Sequence, residues 1–217
     1  MGARDMVARN SAYAQTKDYI PTPGYATRAL YEEVAPEMLK GISERTVLDP
    51  ACGAGHMCEV FAEYGYKSVT GSDIIDYPEK RSPMTFVKED FTDPNNKKKY
   101  GDIVTNPPYA LLGDFITQGL DRAENYFAML LRVQALETQS RYKIFNRTPP
   151  TRIGFFSDRI PFKVGHTRRK ASKMFFHIWL FWDIKRSKAN PKDIDPPMWI
   201  KPNAQELYEK LEDYDVI

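Results

Sequence analysis

Asn106-Pro107-Pro108-Tyr109 is the stretch of this chain with the clearest chemical use. Asp102-Ile103-Val104-Thr105 runs straight into it, so the tetrapeptide should begin where a buried strand ends. In an open α/β sheet, ligands collect in the crevice at the carboxyl ends of the strands. There Asn106 can offer its side-chain oxygen to one proton of a planar amine, and the Pro107 carbonyl can take the other. Pro108 keeps the edge rigid, and Tyr109 supplies a face on which an aromatic ring can stack. An amino group on an aromatic ring is a poor nucleophile because its lone pair is delocalised. Two acceptors at fixed positions favour a more tetrahedral nitrogen, whose lone pair can attack in line. Such preorganisation requires no strong base and no metal.

A second signature, Asp49-Pro50-Ala51-Cys52-Gly53-Ala54-Gly55-His56, lies upstream. Residues 46–49 read as a strand whose end is delivered to a loop where Gly53 and Gly55 let the backbone approach a ligand closely. The helix that follows offers unpaired N–H groups and a positive dipole end. Asp73 stands twenty residues after Gly53, at the end of a second strand, where an acid accepts hydrogen bonds from ribose hydroxyls. No Lys-Ser/Thr pair follows the glycines, which argues against a phosphate-gripping loop. Asp90 and Phe91 follow a third strand, placed to take an adenine amino group and to cover its ring. A capping Asp is the plainer alternative there, given Thr92-Asp93-Pro94.

The elements that must hold these residues alternate between strand and helix patterns. Residues 46–49, 68–74, 84–87, 103–105 and 127–133 read as strands; residues 26–40, 57–64, 112–123 and 134–146 read as helices. Pro36 should kink or split the first helix, and Gly65 should close the second. Residues 152–157 and 173–184 look like two late strands with no helix between them, hence an antiparallel hairpin. The expected architecture is α/β, a mostly parallel seven-stranded sheet with one antiparallel strand and helices on both faces. One catalytic domain over residues 19–185 should follow an arm over 1–18 and precede a tail with a short helix over 186–217.

Bulk properties narrow the class. The chain has 217 residues, enough for one full core, with 42% hydrophobic and 28% charged residues, the balance of a soluble globular protein. No apolar run reaches membrane-spanning length, and residues 1–10 lack the apolar stretch of a secretory signal. Cys52 and Cys58 lack metal-site spacing and lie too close together for a useful staple, so a reducing cytoplasm is the expected setting. A net charge of +2 does not announce a polyanion binder, but residues 163–173 concentrate Lys163, Arg168, Arg169, Lys170 and Lys173 without an acid. Opposite a crevice, such a run would neutralise phosphates.

In combination, the two signatures resemble the amino-methyltransferases that make N6-methyladenine in DNA. Tyr19-Ile20-Pro21-Thr22-Pro23-Gly24-Tyr25-Ala26-Thr27-Arg28-Ala29-Leu30 resembles the additional cofactor motif that precedes the glycine loop in one order class of these enzymes. Ala128-Met129-Leu130-Leu131-Arg132, Leu136-Glu137, Phe156-Ser157-Asp158-Arg159-Ile160-Pro161 and Trp179-Leu180-Phe181-Trp182 are similar to compact methyltransferases of phages and prophages. The resemblance implies S-adenosylmethionine as cofactor and a DNA adenine, flipped from its duplex, as acceptor. It implies that Thr22, Pro23 and the loop from Asp49 through Pro50, Ala51, Cys52, Gly53 and Gly55 hold the methionine part. Asp73 would hold the ribose, and Asp90 with Phe91 the adenine of the cofactor. Asn106 to Tyr109 would hold the target base, Phe162 would clamp its other face, and Arg168, Arg169 and Lys170 would meet the backbone. If the gene is phage-borne, the host cytoplasm is the setting.

Two departures stand out. His56 occupies a place where many relatives carry an aromatic, and no room remains for a separate target-recognition domain. Sequence specificity is then slight, or is supplied by a partner chain. The tetrapeptide pocket also accommodates an acceptor in RNA or a glutamine amide in protein, and a non-catalytic subunit with this fold is a third reading.

Overall fold

The computed structural model describes residues 20–78, 80–81, 84–162, 175–210 and 213. Eight strands form one sheet: β1 (Thr46–Asp49), β2 (Ser68–Asp73), β3 (Thr85–Lys88), β4 (Tyr100–Thr105), β5 (Ala123–Arg132), β6 (Arg152–Phe156), β7 (His177–Asp183) and β8 (Met198–Ile200). Their spatial order is β3-β2-β1-β4-β5-β7-β6-β8. All neighbours pair in parallel except β7, which runs antiparallel to both β5 and β6. The late hairpin therefore forms as expected, with β7 slotted between β5 and β6. An eighth short strand, β8, extends the sheet from the segment expected as a tail.

The central strands are buried on both faces, and the period-two alternation assigns each side chain to a layer. From β5, Ala128 and Leu130 join Trp179 and Phe181 of β7 in one apolar layer. Phe127, Met129 and Leu131 join Ile178, Leu180 and Trp182 in the other. The first layer is covered by α1 (Gly24–Ala29) and α2 (His56–Glu63), the second by α3 (Leu112–Arg122). Complete burial of side chains this large stabilises by about 1.5–3 kcal/mol each. Among the described residues, no helix is long and apolar enough to cross a membrane.

Pro36 splits the first helical stretch as expected. After α1, residues Leu30–Val34 widen into a π turn, with the Ala35 N–H donating to the Leu30 carbonyl at 2.7 Å. Ala35 then leaves the helical region (φ −141°), as the residue before a proline tends to do. The helix expected over 134–146 is interrupted too. A short 3₁₀ turn at Val133–Leu136 comes first, and α4 (Gln139–Arg147) starts only after Thr138, whose side chain caps the Arg141 N–H.

Two polar networks lock the frame. At the start of β4, the fully buried Asp102 accepts from Tyr66 Oη at 2.7 Å and from Arg45 Nε at 3.0 Å. Burial pushes its carboxyl up to about 6, while Tyr66 and Arg45 pull it back. The second network ties α1 to the end of the chain. Arg28, 3% exposed, pairs with Glu63 at 2.6 Å and Asp213 at 2.8 Å and donates to the Tyr208 carbonyl of α5 (Ala204–Tyr208). Trp179 Nε1 also donates to the Ala26 carbonyl at 2.9 Å.

Candidate active site

The strand order reverses between β1 and β4, and a cavity of about 600 Å³ opens there at the carboxyl ends of the strands. Each strand end delivers one polar residue to its wall. Asp49 closes β1, Asp73 closes β2, Asp90 follows β3, Asn106 follows β4 and Arg132 closes β5. The volume falls within the range of small-molecule sites.

Between β1 and α2 the chain turns through Gly53 (φ 54°) and Gly55 (φ 98°), conformations that residues with a Cβ rarely adopt. Gly53 directs its N–H to Asp73 Oδ2 at 3.0 Å. Gly55 faces away from the cavity, and a Cβ there would lie 2.7 Å from the Met84 methyl. It is thus a packing position rather than part of the wall. Cys52 lies on the wall with its thiol pushed up by burial, so it packs as a neutral group.

Three carboxylates line the same half of the cavity. Asp49 is 2% exposed, and burial pushes its carboxyl up to about 7 against the opposing Ala51 N–H at 3.2 Å. Asp73 is likewise raised by burial, although it accepts from Gly53 and, at 3.0 Å, from the Ile75 N–H. Each Asp73 oxygen retains a second lone pair for a ligand hydroxyl. Asp90 uses Oδ1 to accept from both Thr92 N–H and Thr92 Oγ1, so the capping role considered for it is present. It lines the cavity as well. Phe91 reaches the wall from the second core layer, where the Phe115 ring lies at 5.1 Å and the Arg122 guanidinium at 4.5 Å.

Asn106, Pro107, Pro108 and Tyr109 form the adjoining half. Asn106 Nδ2 donates to Thr22 Oγ1 at 3.1 Å, across 84 residues of sequence. With the amide nitrogen held there, its oxygen is the acceptor left for a ligand. Thr22, 5% exposed, belongs to the wall; its neighbour Pro23 caps α1 and stands off it. Tyr109 is held at its far end, where its hydroxyl accepts from the Arg132 N–H at 3.0 Å.

Phe162 lines the cavity beside this half, 9% exposed. Arg168, Arg169 and Lys170, with the rest of the basic run from Lys163, lie outside the described residues. Among the wall residues that had no place in the sequence reading of the site are Arg132 and His177. A signal for Arg132 does exist, since it interrupts the apolar run 127–133 at a strand end. His177 carries no such signal, because its position depends on how β7 pairs.

This strand order, with a single antiparallel strand and a cavity at the reversal, is the class I Rossmann-like methyltransferase fold. The chain resembles a proposed RNA methyltransferase from Pyrococcus horikoshii (TM-score 0.55, 15% identity), covering 76% of this chain and 87% of that one. It also resembles a Thermoplasma acidophilum protein (TM-score 0.50, 18% identity), covering 72% of this chain and 84% of that one. No family model and no curated protein matches the sequence.

Proposed function

We propose that this protein transfers a methyl group from S-adenosylmethionine to the exocyclic N6 of adenine in DNA, the target base being flipped into the Asn106–Tyr109 pocket. The observation that carries the reading is the Thr22–Asn106 hydrogen bond, which leaves the Asn106 oxygen as an acceptor next to the Pro107 backbone.

The cofactor half suits S-adenosylmethionine by its donor set. Asp49 is a buried carboxylate that a cation would return to its ionised form, and the amino acid end of the cofactor carries an ammonium. Asp73 stands ready for ribose hydroxyls and Asp90 for an adenine amino group. When bound, the cofactor supplies a methyl on a sulfonium, which leaves as a neutral thioether.

The chain's own residues then act on the acceptor. Asn106 Oδ1 and the Pro107 carbonyl each accept one N6 proton and orient the nitrogen lone pair toward the methyl carbon. A C–N bond forms as the C–S bond breaks, and the nitrogen, now positive, releases one proton to solvent. Tyr109 and Phe162 flank the ring. Flipping costs a few kcal/mol, which stacking against these rings offsets. The basic run 163–173 supplies charge for the DNA backbone.

The test is nucleoside mass spectrometry on DNA from cells that lack adenine methylation of their own and express wild type or Asn106→Ala. N6-methyladenine with wild type alone is the expected result, and long-read sequencing of that DNA then gives the site. No methylated deoxynucleoside with wild type would overturn the DNA reading and redirect the assay to RNA and to protein glutamine.

A further inference from the structure

Asn106 and Pro107 present only acceptors to an acceptor group, so they would hold the amino group of adenine, cytosine or an amide alike. Adenine differs from an amide in carrying ring nitrogens that accept hydrogen bonds, and from cytosine, whose N3 also accepts beside its amino group, in carrying N7; reading these atoms requires a donor. The cavity wall among the described residues contains a single cationic side chain of that kind, Arg132.

Arg132 is held in one orientation. Its guanidinium lies over the Phe175 ring at 3.9 Å and over the Tyr109 ring at 4.9 Å. Its Nε is buried with no hydrogen-bond partner, an unfavourable arrangement unless a ligand supplies the acceptor. The acids of the wall are Asp49, Asp73 and Asp90, at or just past the ends of β1, β2 and β3. Its direct cross-strand partner in the β5–β7 register is His177. His177 is 5% exposed and packs at 4.6 Å on the Phe162 ring. Burial, reinforced by the charge of Arg132, pushes the His177 imidazole down to about 4, so this neighbour is neutral at physiological pH. The guanidinium thus faces the acceptor half between rings, beside a neutral imidazole.

We propose that Arg132 is the specificity-determining donor of the acceptor pocket, hydrogen-bonding N1 or N7 of the target base. The inference rests on the adenine reading above and adds the residue that separates a base with ring acceptors from a plain amide. It also gives Tyr109 a second task. Its ring supports the guanidinium while its hydroxyl is anchored by the Arg132 backbone, so donor and stacking face move as one piece.

A chemical double-mutant cycle tests it. Duplex oligonucleotides carry the methylated site with adenine, 1-deazaadenine or 7-deazaadenine at the target, removing one ring acceptor at a time. Wild type and Arg132→Met are compared by kcat/KM on each. Wild type should lose about tenfold to a hundredfold on one of the two deaza substrates. Arg132→Met should lose a similar factor on adenine, and should lose nothing further on that same deaza substrate. Calorimetric cofactor affinity within about twofold of wild type verifies that the variant is folded. If Arg132→Met does not fold, Arg132→Lys carries the cycle, since it keeps the charge and removes Nε. Equal proportional losses on all three substrates would overturn the proposal and leave Arg132 a phosphate contact or a packing residue. Wild type inactive on every adenine duplex would instead sink the parent reading, and that result appears before any variant is made.

Discussion

Affinity for S-adenosylmethionine should rise with pH between 5.5 and 7.5, and Asp49 should set the slope. Its carboxyl sits at about 7 in the unliganded protein because it is buried without a cation. A ligand ammonium beside it favours the carboxylate, so binding and proton release are linked. The ionised fraction falls from about three-quarters at pH 7.5 to about 3% at pH 5.5. Affinity should then drop about 25-fold, close to 2 kcal/mol. Only the top of this window overlaps the titration of an α-amino group, at about 7.7–8.0, which blunts the rise there without reversing it. Titration calorimetry at fixed ionic strength gives the profile, and Asp49→Asn should flatten it at the low-affinity end. A flat profile in wild type would refute the reasoning. A slope that survived in Asp49→Asn would shift the linkage to Asp73. Stability runs in the opposite sense. The folded state keeps a proton on Asp49 that the unfolded chain sheds near 3.8, so this residue makes the unliganded protein less stable as pH rises from 3.8 to about 7. At about 1.36 kcal/mol per pH unit, the cost reaches about 4 kcal/mol above pH 7. Asp49→Asn should therefore melt higher than wild type at pH 7.5 while binding the cofactor worse.

Thr22→Val should lower kcat about tenfold, because the Asn106 amide loses the hydroxyl that orients it, whereas an unchanged kcat would remove Thr22 from that role. Gly55→Ala should destabilise by about 1–2 kcal/mol, since it combines a left-handed backbone with a clash against Met84, and thermal melting would show a drop of several degrees. Arg45→Met leaves Asp102 buried without its cation and should cost about 3–5 kcal/mol near neutral pH. That loss should shrink as pH falls through about 6, where the Asp102 carboxyl takes up a proton; denaturant melts showing a pH-independent loss would contradict the assignment.

The parallel half of the sheet was legible because its strands carry short apolar or β-branched stretches, such as residues 46–48, 69–70 and 103–105, with Asp49, Asp73 and Asn106 standing at or just past the strand ends. The same punctuation located the cavity, since strand ends and the order reversal are what create it. β8 was not legible. Met198-Trp199-Ile200 is three residues long between prolines, too short for alternation to register, and pairing with β6 supplies its order. The 3₁₀ turn before α4 was missed because residues 134–146 have helical spacing, while Thr138 takes a φ of 131° that no pattern announces. Arg132 and His177 meet through strand register, a tertiary choice that neither segment records by itself. For Thr22, resemblance supplied the residue and the structure supplied its partner.

The clasp on α1 bears on the order in which this protein becomes active as it is synthesised. The helix beside Thr22 is anchored by Trp179, Tyr208 and Asp213, residues translated 153 to 185 positions after their partners. Contacts of such separation form late, because a long loop must close before they give any return. The anchors of the helix beside Thr22 can therefore be complete only after the segments that carry Trp179, Tyr208 and Asp213 have been made.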